Sequence, residues 1–215
     1  MFVLTVDQRR SRRGTDLVPE LLSAHERIAR PGDGVVLPLE RTVGDEAQAL
    51  LDDAALVVDT VLQVVRDGRW SVGIGVGGVD TPLPGSTRAA RGPAYLAARD
   101  AVERAKRRPG AARIAVELGL DAGSGGGDGP PAWERAARDA EALLVLLGAV
   151  VARRTDAGWE VVDRLARAGA TQGDLARDLG VSQQAVSQRL LASMWPEEAA
   201  ARPLAARLLQ EADRS

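Results

Sequence analysis

Residues 121–131 read DAGSGGGDGPP, and this segment constrains the fold more than any other stretch of the chain. Glycine and proline dominate it, so it has almost no side chain to bury, and ordering its glycines would cost much backbone freedom. The chain is therefore expected to fold in parts on either side: residues 1–120, a linker at 121–132, and residues 133–215. The two sides differ in pattern. Short apolar runs alternate with helical spacings before the segment, and only helical spacings follow it.

Phe2 to Val6 reads as a buried strand that stops at Asp7. Leu17, Leu21, Ala24 and Ile28 recur at helical spacing, with Pro19 in the first turn and Pro31-Gly32 after the end. Val35 to Leu39 is a second strand, Gly44-Asp45 a turn, and Ala47 to Leu51 a third strand running back. Val58, Val61, Leu62 and Val65 line one face of a helix ended by Gly68. Residues 70–76, WSVGIGV, alternate large and small, so something is expected to pack close to that strand's backbone. A helix over GPAYLAARDAVERAKRR and a strand over Arg113 to Leu118 follow. The first six elements run β-α-β-β-α-β, the split-βαβ order. The expected fold class is α+β ferredoxin-like, followed by an all-α helix-turn-helix part.

Composition enters by exclusion. There is no Cys and one His, His25, which removes thiol chemistry and zinc sites and leaves carboxylates for a hard ion such as Mg²⁺. The aromatic fraction is 3%, so Ala, Val and Leu must build the core, with Trp133, Trp159 and Trp195 as anchors of the helical half. Lys+Arg total 28 against 30 Asp+Glu, a net charge of −2, which argues against coating nucleic acid by bulk charge. Lys106 is the only lysine, and His25, one turn after Leu21, reads as a half-buried or surface residue. Met1 to Val6 is too short for a signal segment, and the longest apolar run, residues 142–152, is far short of the ~20 residues of a membrane span. A cytoplasmic protein without membrane contact is expected.

Residues 171–191, TQGDLARDLGVSQQAVSQRLL, form the most specific pattern. Thr171 can cap one helix, Gly180 supplies a left-handed turn, and Ser182 can cap a second helix with Val186 and Leu190 inward. That is helix-turn-helix spacing. The second helix would present Gln183, Gln184, Ser187, Gln188 and Arg189 to base edges in the major groove, so DNA is the expected partner. From 171 to 193 the charges of Asp174, Arg177, Asp178 and Arg189 cancel, so each copy would bind modestly and a homodimer is expected.

In the N-terminal part, strand order would place Asp7 and Asp45 side by side at one end of the sheet. Two such carboxylates can share Mg²⁺, and the basic run RRSRR, which includes Ser11 and Arg12, leads into a helix start able to hold phosphate. The motifs TVGDEAQALLDD, WSVGIGVGGV and GPAYLAARDAVERAK, in this order, resemble the class III nucleotide cyclase domain. That resemblance implies metal positions at Asp7 and Asp45 and a phosphate contact at Arg99. It also puts Arg41 at the place of a purine-selecting Lys and Tyr95 at that of an Asn. Asp7 followed by Ser11-Arg12, then Gly44-Asp45-Glu46 and Gln48, and ending in a helix-turn-helix, resembles the SatD family. That resemblance spans nearly the whole chain and implies a regulator.

Two functions follow as expectations. One is a DNA-binding regulator whose cyclase-like part dimerises or senses a nucleotide or other phosphorylated ligand. The other is a Mg-dependent enzyme acting on nucleotides through Asp7 and Asp45. Gly73, Gly75 and Gly77 lie within a strand and open no helix, so they carry no dinucleotide site.

Overall fold

The computed structural model describes residues 1–10, 14–29, 32–119, 130–168 and 171–213. Most of the glycine-proline segment lies outside the described residues, as do Ser11 and Arg12. Strand β1 (Phe2–Gln8) is the middle of a five-stranded mixed sheet ordered β2-β3-β1-β4-β5, from β2 (Val35–Arg41), β3 (Glu46–Leu51), β4 (Trp70–Gly77) and β5 (Arg113–Gly119). β4 and β5 run parallel and the other neighbours antiparallel. Helices α1 (Val18–Glu26), α2 (Ala54–Val65) and α3 (Pro93–Arg107) connect the strands. Helices α4 (Ala132–Val151), α5 (Asp156–Ala168), α6 (Gln172–Leu179), α7 (Gln183–Ala192) and α8 (Trp195–Ala212) complete an α+β chain. No helix among the described residues is long and apolar enough to cross a membrane.

The two faces of the sheet follow from the period of two along each strand. Phe2, Leu4 and Val6 of β1 share a core with Val72, Ile74 and Val76 of β4 and with residues of α2, α4 and α8. Val3 turns to the other face and packs with Ala94, Tyr95 and Ala98 of α3. Gly73 and Gly75 stand opposite Thr5 and Val3, so they too face α3. A Cβ on Gly75 would lie 2.0 Å from the Ala94 carbonyl oxygen, and one on Gly73 would lie 2.3 Å from the Val102 amide. The alternation read in the sequence thus has its cause: α3 rests its backbone directly on β4, with only alanines as spacers.

The helical half is not one unit. Ala140, Leu144, Leu147 and Val151 of α4, and Ala205, Leu209 and Ala212 of α8, sit in the sheet's own core. The boundary expected at 121–132 therefore separates elements that share a core. Only α5, α6 and α7 have a core of their own, from Val161, Val162, Leu175, Ala176, Val186 and Leu190.

Two connections tie this small core to the rest. Arg154, between α4 and α5, is fully buried; it donates from Nε and Nη2 to the Ser193 carbonyl at 3.1 and 3.0 Å and from Nη2 to Glu198 at 2.8 Å. Its guanidinium lies 4.4 Å from the Trp159 ring and 5.8 Å from the Trp195 ring. Arg66, just after α2, makes a two-pronged pair with Asp163 of α5 at 2.8 and 3.0 Å and stacks 3.6 Å over Trp159. Two of the three tryptophans expected as core anchors, Trp159 and Trp195, pack against the small core and also meet arginines. An Arg face is weakly hydrated and sits well on an indole.

Candidate functional site

Two places gather the residues singled out in the sequence. The first is an open cavity of about 1020 Å³ on the α3 side of the sheet, where α3 leaves the β2–β3 hairpin uncovered. Asp7 is the last residue but one of β1 there, and the Gly44-Asp45 turn, with Gly44 at φ 62°, brings Asp45 beside it. The Gln8 amide donates to the Asp45 carbonyl at 3.2 Å, which fixes the turn against β1. The two carboxylates therefore line one cavity.

What Asp7 touches is a cation. The Lys106 ammonium, reaching in from α3, lies 2.8 Å from the Asp7 carboxylate and 2.7 Å from Glu103. Burial raises the pKa of Asp7, Lys106 opposes that shift, and Asp45 and Glu46 add to it. Burial alone would lower Lys106; Asp7 and Glu103 outweigh it and hold the ammonium's pKa up. Among the described residues no group of three or more His, Asp or Glu side chains is placed to hold a metal ion. A divalent ion at Asp7 would have to displace the ammonium and take its further oxygens from water or a phosphorylated ligand. Sequence reasoning missed the pairing, although the one lysine of an arginine-rich chain was its signal.

A prediction arises at this pair. In Lys106→Met, Asp7 keeps its burial and its acidic neighbours but loses its cation, so its pKa should rise further. A folded pKa above the ordinary 3.8 contributes stability at low pH that is lost as pH rises through the folded value. The variant should therefore lose stability against the wild type as pH climbs from about 4 towards neutrality. A carboxyl-carbon NMR titration reads the shift, and an unchanged Asp7 curve would show that Lys106 is not its partner in solution.

Other expected groups divide. Arg99 lines the cavity and is exposed. Arg41 does not line it: Nη2 pairs with Asp16 at 2.5 Å and Nη1 donates to the Gly44 carbonyl at 3.0 Å, so it braces the hairpin. Arg88 and Arg91, not singled out in the sequence, join Arg99 on the cavity wall, and none of the three is in an ion pair among the described residues. The loop of Arg88 and Arg91 is held by Glu40, which accepts from Ser86, from Thr87 at 2.6 Å and from the Arg88 amide at 3.2 Å. Burial would raise the Glu40 pKa, and these donors outweigh it and keep the group ionised. Tyr95 is buried on the same wall, its hydroxyl has no hydrogen-bond partner, and burial together with Glu40 pushes its pKa up to about 12. The cavity thus offers three guanidinium groups and a neutral phenol, together with the carboxylates of Asp7, Asp45, Glu46 and Asp80.

The second place is α6 and α7. Thr171 accepts from the Asp174 amide at 3.2 Å, and Asp174 accepts in return from the Thr171 amide at 3.0 Å, which closes a capping box. Gly180 ends α6 at φ 63°, where a side chain would be strained. Ser182 caps α7 by accepting from the Ala185 amide at 3.1 Å. Val186 and Leu190 then point into the small core, and Gln183, Gln184 and Gln188 are exposed. Ser187 and Arg189 are half-buried, with Arg189 3.7 Å from Glu160 of α5, so that arginine leans inward. Comparison with protein-family models, with curated proteins and with solved structures returned no match.

Proposed function

We propose that this protein is a DNA-binding regulator. In this reading α6 and α7 form a helix-turn-helix, and the α/β part is a ferredoxin-like, cyclase-like module that dimerises the chain and senses a phosphorylated small molecule. The observation that carries the reading is the α6–α7 pair. Both helices are capped by their own side chains, a left-handed glycine joins them, and three glutamines stand exposed on the second. Glutamine bonds adenine bidentately, and the caps leave this helix N-terminus free for a groove. The sensing role rests on Arg88, Arg91, Arg99 and Tyr95 of the sheet cavity, since guanidinium groups fork onto phosphate oxygens. Turnover through Mg²⁺ is not part of the proposal, because Asp7 is committed to Lys106.

The test is selection of genomic fragments by the full chain, followed by affinity measurements on Gln184→Ala/Gln188→Ala. Each good bidentate contact discriminates by about 1–3 kcal/mol, so the double variant should bind a selected site roughly 30-fold weaker or more, with its melting temperature unchanged. Affinity should also depend weakly on salt, because residues 171–193 carry no net charge. Equal binding by wild type and variant would sink the reading.

A further inference from the structure

A second cavity, of about 340 Å³, lies between α1 and α2 on the opposite side of the sheet from the cavity of Asp7 and Arg99. Leu21, Val64 and Trp70 form apolar parts of its wall and Ile28, 41% exposed, is a lip. Two polar residues line it as well. His25 is 4% exposed and Thr60 is 1% exposed. Neither His25 nitrogen has a hydrogen-bond partner, and neither has the Thr60 hydroxyl, which does not bond back to its own helix.

This is an expensive arrangement. A buried polar group without a partner costs roughly 1–3 kcal/mol, and three such atoms belong to two residues that line one small cavity. Leucine at 25 and valine at 60 would fill the same space without that cost. His25, expected at the surface or half-buried, is buried because it shares the inward face of α1 with Val18 and Leu21. Burial lowers its pKa, so the imidazole is neutral and carries one donor and one acceptor. The cations at the mouth are largely spoken for: Arg66 is paired with Asp163, and Arg69 with Asp67. Glu20 adds a negative charge beside exposed Arg27. The residues of the floor therefore carry hydrogen-bonding groups without charge, and Leu21, Val64 and Trp70 offer apolar contact between charged residues at the mouth.

We infer that this cavity is a binding site for an uncharged small molecule with an N–H donor and a carbonyl acceptor on an apolar ring, that is, a cyclic amide. Its volume lies in the range of small-molecule pockets. The carbonyl would accept from the imidazole N–H, and the ligand N–H would donate to the Thr60 oxygen. Gln63, half-exposed on the wall, is a further neutral polar group. The inference does not depend on DNA binding by α7.

His25 is the only histidine, so a protein labelled with ¹⁵N-histidine shows one pair of ring nitrogens. The probe is 2-quinolinone, titrated into the full chain while those signals are followed. The expected result is a saturable shift of both ring nitrogens. N-methyl-2-quinolinone, which lacks the donor, should bind at least tenfold weaker, and so should the anion 2-naphthoate. Thr60→Val, which keeps shape and fold, should weaken the probe about tenfold. His25→Leu should abolish binding, and its melting curve checks that it folds. No saturable shift would mean a merely hydrated cavity and would overturn the inference. Tighter binding of 2-naphthoate would also overturn it, by showing an anion site, as would equal binding of the N-methyl compound.

Discussion

Glu198→Ala is expected to lower the unfolding free energy by about 3–5 kcal/mol, the cost of leaving a buried charge without its partner. Arg154 and Glu198 both have side chains at 0% exposure, so bulk water does not screen either charge. The guanidinium would keep the Ser193 carbonyl and the Trp159 and Trp195 rings, which soften the loss but do not cancel a charge. Arg202, which Glu198 also binds at 2.5 Å, retains Asp59 at 2.7 Å and would suffer less. Denaturant unfolding measures the change. A loss under about 1 kcal/mol would show that water reaches the pair, since exposed pairs contribute no more than that. Arg154→Leu/Glu198→Leu should recover part of the stability, because removing both charges leaves neither stranded.

Gly75→Val should cost about 3 kcal/mol or more, at the upper end of what overpacking produces. The atoms in the way are backbone, the Ala94 carbonyl at 2.0 Å and the Ala98 amide at 2.4 Å from the new Cβ, so no side chain can rotate to make room. Relief requires α3 to lift off β4, which would expose Ala94, Ala98 and Ala101 and loosen the wall that carries Tyr95 and Arg99. Gly78→Ala is the matched control, because nothing lies within 4 Å of a Cβ there, and it should stay within roughly 0.5 kcal/mol of wild type. A small effect at Gly75 would mean that α3 stands off the sheet in solution.

These two sites mark how much was legible in the sequence. The alternation of β4 announced a close neighbour because its signal is local: small residues every second position must face something near. The caps at Thr171 and Ser182 and the turn at Gly180 were legible for the same reason, each depending on residues within four positions. The Asp7–Lys106 pair was not, because 99 positions separate the partners and only the roll of α3 on the sheet brings them together. Arg41 was put at a purine-selecting position by its place in a motif, and a carbonyl three residues on and Asp16 claim it instead. The return of α8 to the sheet core had a local trace in Ala205, Leu209 and Ala212, which share one helix face, but nothing local says which surface that face will meet.

The position of α5–α7 in the chain carries a mechanical consequence. They leave from α4 and return to α8, and both of those helices are fixed in the sheet core. A module hung on one tether can swivel about it in any direction. A module gripped at both ends has lost that swivel and can only rock about the line joining its two entry points. Arg154 stands at one of those points and Ser193 at the other, and the hydrogen bonds between them clasp the neck shut. The Arg66–Asp163 pair grips α5 away from that line, so any rocking of the exposed glutamines of α7 has to open this pair first.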